Sequence, residues 1–249
     1  MIHPTAIVSE KAQIDRNVEI GAFTIIYDNV VIKANTVIES YCELGVANKL
    51  SEGALLTIGE GSLIRSRSTF YEGSSFGDGL VTGHNVTVRE KTIAGKNFQL
   101  GSLSDIQGWC EIGDYVRTHS NVHIGQHSVI GNCVWLFPYV VLTNDPHPPS
   151  NVMLGAAVGD YAVIATMTVV LPGAKIGEGA FIGAHSCVGG RVQKDMLYSG
   201  SPAKNIGPAS KIKLKDGSRM PAYPWRTHFH RGYPEDLVEQ WNKEQQENV

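Results

Sequence analysis

Every sixth residue of this chain is apolar over long stretches. One series runs Ile2, Val8, Ile14, Ile20, Ile26, Ile32, Ile38, Leu44. A second starts at Ile58 and passes through Ile64, Phe70, Phe76, Thr82, Val88, Ala94, Leu100, Ile106, Ile112, Thr118, Ile124, Ile130 and Leu136 to Leu142; a third links Val158, Ile164, Val170, Ile176, Ile182 and Val188. Of these 29 positions only Thr82 and Thr118 are not apolar, against about 12 apolar residues expected from the overall 42%. Four residues after each position stands a small or β-branched side chain, as at Val18, Thr24, Cys42, Ser68, Cys110 and Ala174, with Leu80 and Phe98 as exceptions. Glycine often follows the large residue, as at Gly21, Gly59, Gly101 and Gly131, where a compact turn benefits from the missing Cβ. Neither a 3.6-residue helix nor a two-residue alternation yields a strict period of six. The pattern predicts short strands joined by corners, each unit burying two side chains only by stacking on its neighbours.

Two stretches break the register, 45–57 and 143–157. Both are expected to be loops thrown outward, the second a semi-rigid excursion because of its prolines. After Gly207 the repeat ends. Residues 208–249 read as an extension with an aperiodic aromatic stretch, AYPWRTHFHRGYP, and a helix at about 234–247 whose apolar face is Leu237, Val238 and Trp241. Covering the open final coil is the structural task expected of it.

The 249 residues are 18% charged with a formal charge of −3, which argues against a nucleic-acid or anionic-membrane partner and for a small-molecule one. No run approaches the roughly 20 apolar residues that span a bilayer, and the start MIHPTAIVSE lacks the pattern of a secretory signal. The four cysteines, Cys42, Cys110, Cys133 and Cys187, are widely spaced with no CxxC, so the expectation is reduced thiols and a cytoplasmic protein.

The [LIV]-[GAED]-x-x-[small]-x units, the start IHPTAIV, the run VVLPGAKIGEGAFIGAHSCVGG and the segment SGSPAKNIG resemble the hexapeptide acyltransferases over roughly residues 1–207. The resemblance implies an all-β fold, a left-handed parallel β-helix with three hexads per coil, a homotrimer, and direct acyl transfer from acetyl-CoA, with no metal. It places the pantetheine arm of CoA against Ala165, Thr166, Gly183 and Ala184, and Arg191, Lys194 and Lys204 suit its phosphates. The stretch VVLTNDPHPPS resembles loops of the branch that acylates the amino group of UDP- or dTDP-linked sugars for surface polysaccharides such as O-antigen.

With three hexads per coil, residues eighteen apart stack about 4.7–4.9 Å apart. His84 and Asn85, Ser102 and Leu103, Ser120 and Asn121 then share a corner, flanked by His119 and His123. Asp105 falls one coil beneath His123, where a carboxylate can fix the imidazole tautomer of a general base. The expected base is His123 aided by Asp105, then His119, then His147 in the second loop. His84, Asn85, Asn121, Asn144 and Asp145 are the expected acceptor contacts. A second column, Lys91, Trp109, His127 and Asp145, ends at that loop. A histidine directly followed by Asp or Glu marks some branches, and this sequence has none.

A sugar O-acetyltransferase is the nearest alternative; a lipid-A-type acyltransferase is more distant because the helical tail is short. His84, His119 and His123 also imitate the three zinc ligands of γ-type carbonic anhydrases, although three residues separate the last two here where that family has four. A non-catalytic scaffold of the same fold is the remaining alternative.

Overall fold

The structure is a computed structural model that describes residues 1–247. The chain winds as a parallel β-solenoid with three flat faces. Sheet 1, opening at Ile7–Val8, and sheet 2, opening at Gln13–Ile14, have ten strands each; sheet 3, opening at Glu19–Ile20, has eleven. Most strands are two residues long and pair in parallel with the strand one coil away, as Asp105 does with His123 and Arg117 with Trp135. The expected all-β solenoid, with two outward loops and a short C-terminal helix, is what the chain forms.

From Ile20 onward the every-sixth residues are the core, while at the open first coil Ile2 is exposed and Val8 and Ile14 are only partly buried. Ile32, Ile58, Ile64, Phe70, Ile106, Ile124, Leu136, Leu142 and Ile182 are all fully buried, each contributing about 1.5–3 kcal/mol of gross burial energy. Thr82 and Thr118 also point inward, and their hydroxyls take the place of a ladder carbonyl. Arg65 N–H donates to Thr82 Oγ1 at 2.9 Å and Gly101 N–H to Thr118 Oγ1 at 3.1 Å.

The glycines have a different cause from the one the sequence suggests. Gly21, Gly59, Gly101 and Gly131 have no positive φ. The next coil instead crosses directly over them: a Cβ on Gly101 would lie 2.2 Å from the carbonyl carbon of His119. The corner is turned one residue before each small inward side chain, where the backbone is left-handed, as at Asn121 (φ 59°), His127 (φ 61°) and Tyr139 (φ 62°). Asparagine tolerates this conformation best among non-glycine residues, and Asn17, Asn35, Asn85, Asn97 and Asn121 all stand at such corners.

The first excursion is shorter than 45–57, because strand Glu43–Val46 runs into it and strand Leu56–Ile58 ends it. Buried Glu72 accepts from Asn29 Nδ2 and Ser51 Oγ, both at 2.8 Å, and buried Glu90 accepts from Asn48 Nδ2 at 2.8 Å and Arg89 Nη2 at 3.0 Å. Near the far end the repeat shortens: Arg191 stacks on Lys175, sixteen residues back rather than eighteen, which hid Val192 and Tyr198 from a strict six-residue count.

The tail does not do what the sequence suggested. The last coil is closed by an antiparallel hairpin, Met196–Gly200 with Ala203–Pro208, while the aromatic stretch and helix α1 (Glu235–Glu247) lie against the outer face of sheet 3. Leu237, Val238 and Trp241 face inward as their spacing predicts. Trp225, Tyr233 and Trp241 close over Cys133 and Val163, with Trp225 Nε1 donating to Tyr161 O (3.2 Å) and Trp135 Nε1 to Tyr233 Oη (3.1 Å). Arg117 is clamped between the Trp135 and Tyr233 rings, 4.9 and 4.3 Å from their centroids, and donates to Gly232 O at 2.7 Å.

This docking makes a thiol prediction. Cys42, Cys110 and Cys133 are buried, and burial pushes their thiols up to about 11, 11 and 12; Cys187 is partly exposed. Mass spectrometry after brief iodoacetamide treatment should find only Cys187 modified. Trp241→Ala, which loosens the tail, should add Cys133 and leave Cys42 and Cys110 unreacted. Among the described residues no helix is long and apolar enough to cross a membrane.

Candidate active site

The corner between sheets 3 and 1 is a continuous edge. Backbone hydrogen bonds stack Ser66, His84, Ser102, Ser120, Pro138, Thr166 and Ala184 along it, each coil donating one N–H to the carbonyl of the last. His84 Nδ1 lies 2.9 Å from Ser66 Oγ, and its N–H donates to Ser102 Oγ at 3.0 Å. Asn85 and Asn121 take the left-handed positions beside this edge. Ala165, Thr166, Gly183 and Ala184 continue the edge further along the axis, so these four share one line with His84, Asn85 and Asn121.

His123 and Asp105 lie on the outer face of sheet 1, just past the corner. The one-coil stacking brings His123 Nδ1 within 3.0 and 3.1 Å of the two oxygens of Asp105, and both side chains are about one-third exposed. Gln107 Nε2 donates to the same carboxylate. Burial works to raise the Asp105 pKa, but the hydrogen bonds from His123 and Gln107 and the His123 charge outweigh it and hold the carboxyl below its usual range. A carboxylate on Nδ1 favours the tautomer with its proton there and leaves the Nε2 lone pair facing outward.

His119 lies on the other side of the same corner, on the sheet 3 face. Its ring stacks on Phe137 at 4.8 Å and 19°, and burial lowers its pKa. It lines a cleft of about 340 Å³ together with Arg65, Thr82, Gln99, Ser102, Arg117, Thr118, Ser120 and Trp135. The sequence reading missed this cleft. Its signal was present: Thr82 and Thr118, the two breaks in the apolar series, both stand in its wall.

Other expected residues are not gathered. Asp145 does not complete the Lys91, Trp109, His127 column, because the second loop adds ten residues to that coil and Gly155 is the residue stacked on His127. Asp145 instead accepts N–H groups from His147 and Ser150 within the loop, both at 3.3 Å. Asn144 donates to Met153 Sδ, and its carbonyl accepts from Leu154 N–H at 2.7 Å. Arg191 is on sheet 2, Lys194 is paired with Glu178 at 3.0 Å, and Lys204 is on the terminal hairpin. His84, His119 and His123 do not converge; among the described residues no group of three His, Cys, Asp or Glu side chains is placed to hold a metal ion.

No family model matches the chain. The chain is 28% identical over 193 residues to the bifunctional protein GlmU of Clostridium botulinum, covering 78% of this chain and 40% of that protein. It is 32% identical over 137 residues to an acyl-[acyl-carrier-protein]–UDP-N-acetylglucosamine O-acyltransferase of Thermodesulfovibrio yellowstonii, covering 53% of this chain and 49% of that one. The chain thus spans less than half the length of these curated relatives. The fold is similar to that of the UDP-N-acetylglucosamine acyltransferase of Arabidopsis, with a TM-score of 0.58 and 18% identity over 84% of this chain and 74% of that one. It is also similar to that of Campylobacter jejuni, with a TM-score of 0.52 and 22% identity over 98% and 82%.

Proposed function

We propose, from the premise that this chain belongs to the hexapeptide-repeat acyltransferases, that it transfers an acetyl group from acetyl-CoA to the amino group of a nucleotide-linked sugar. The observation that carries this reading is the His123–Asp105 pair, a supported imidazole with an outward lone pair on the edge where the expected donor and acceptor contacts lie. The amine attacks the thioester carbonyl and gives a tetrahedral intermediate. His123 Nε2 removes the proton from the new ammonium, the C–S bond breaks, and the imidazolium returns that proton to the leaving thiolate. A free amino sugar needs little activation, so alignment contributes most.

Leu103, Tyr139 and Met167, all about half exposed, stand in one corner column beside the same edge, with Asn121 between the first two. This supports burial between copies in a closed homotrimer, which light scattering would report directly. Four unpaired thiols support a cytoplasmic setting.

O-acylation from an acyl-carrier protein is a second reading, favoured by what the Thermodesulfovibrio relative is named for. One assay separates the two. Acetyl-CoA and medium-chain acyl-carrier thioesters are each offered UDP- and dTDP-linked sugars with a free amine or only hydroxyls, and products are treated with alkaline hydroxylamine. The proposal expects an acetylated product from the amine alone, stable to hydroxylamine. A hydroxylamine-labile ester overturns N-acylation, and no product from any pair overturns the enzyme reading itself.

A further inference from the structure

A second cavity shares one wall residue, Trp135, with the cleft beside His119. The tail crosses sheet 3 above it, and Tyr223, Trp225 and Phe229 from the tail with Trp135, Phe137 and Val163 from the solenoid enclose about 220 Å³. Trp135 belongs to both walls, and together the two cavities reach the size of small-ligand pockets, roughly 300–1,000 Å³. Their chemistry is divided. The tail-built part is a slot of rings: Trp135 and Phe137 are close to parallel (25°, 6.0 Å), while Phe229 stands edge-on to Trp135 (82°, 5.6 Å). The other part is lined by Arg65, Arg117 and His119 and by no carboxylate. Neither arginine is within ion-pair distance of an acidic side chain among the described residues; Arg65 donates to Thr82 O at 2.6 Å and Arg117 is held by rings and backbone carbonyls.

A flat ring that stacks, joined to a group carrying negative charge, satisfies both halves at once. An acyl chain would fill the slot but leave two arginines without a counter-charge. We propose that this composite cleft binds a nucleoside diphosphate, the base in the slot walled by Phe229 and the phosphates beside Arg65. This rests on the nucleotide-sugar reading above and adds to it the seat of the nucleotide, with the C-terminal tail as its specificity element.

The test is calorimetry and tryptophan fluorescence on the full chain with no acyl donor, using UDP, dTDP, uridine and inorganic pyrophosphate as probes. UDP or dTDP is expected to bind and to quench Trp135 and Trp225. Phe229→Ala should weaken UDP by about tenfold or more without changing pyrophosphate, and Phe229→Tyr should restore it. Arg65→Ala should weaken UDP and pyrophosphate but not uridine. Thermal melts of each variant identify any loss that comes from unfolding. UDP affinity unchanged in both Phe229→Ala and Arg65→Ala, or no nucleotide binding by the wild type, overturns the proposal. So does decanoyl-CoA binding that Phe229→Ala abolishes while UDP binding persists. Because binding is read without turnover, nucleotide in the cleft of a chain that acylates nothing would sink the reaction and spare the site. Acylation of a nucleotide sugar with a KM indifferent to both variants would do the reverse.

Discussion

Replacing His123 by alanine is expected to lower kcat for acyl transfer by about 10²- to 10⁴-fold, the range lost when a positioned general base is removed. The donor KM should change little, since the expected CoA contacts lie further along the axis. Asp105→Asn should cost roughly 10- to 100-fold. The amide keeps the volume but loses the negative charge that orients the ring and stabilises the imidazolium. Because the Asp105 carboxyl titrates below its usual range, its support is fully present above the unperturbed value of about 3.9. It is lost only as pH falls through the lower folded value, so the pair keeps its negative member across the whole neutral range. Steady-state rates for the two variants and the double variant check this. If the pair acts as a unit, the double variant should be hardly slower than His123→Ala alone, whereas multiplying losses would mean that Asp105 acts elsewhere.

Gly101→Val should have the largest effect on stability. The coils stack at the strand spacing of about 4.7–4.9 Å, and a Cβ at this position would sit 2.2 Å from the backbone carbon of His119. No rotamer relieves a clash with backbone, so the coil bearing Thr118 and His119 must move outward and break its ladder to the coil of Gly101. A loss of about 4 kcal/mol or more is expected, which at this chain length lowers the melting temperature by roughly 10 °C or more. At Gly61 the added Cβ meets nothing within 4 Å, but φ is +65°, so Gly61→Ala should cost only the backbone strain of about 1–2 kcal/mol. The two melts, run side by side, separate close approach from backbone conformation as the reason for glycine in these repeats.

What the sequence made legible is what the period dictates. A side chain that must face inward every six residues identifies Ile124 or Leu136 as core without coordinates, and the eighteen-residue step puts Asp105 against His123. Features that depend on departures from the period were less accessible. Asp145 was placed by counting through a loop that adds ten residues, and Val192 was lost where the last coil shortens by two. The tail could not be positioned because its aromatic residues have no period; only packing against Cys133, Val163 and Trp135 decides which face they cover. The cleft at Thr82 and Thr118 lay between these cases: polar residues at core positions carry a cost that here the hydrogen bonds from Arg65 and Gly101 N–H offset, and the two breaks in the apolar series mark the coils that wall it.

The most direct test of the central claim, that coil stacking turns two residues eighteen apart into a poised base, is the protonation state of the His123 ring. In protein with ¹⁵N-labelled histidine at alkaline pH, the imidazole should carry its proton on Nδ1 and an unprotonated Nε2, and Asp105→Leu should abolish that preference. A His123 ring protonated on Nε2 in the wild type, or one indifferent to Asp105→Leu, would contradict the account.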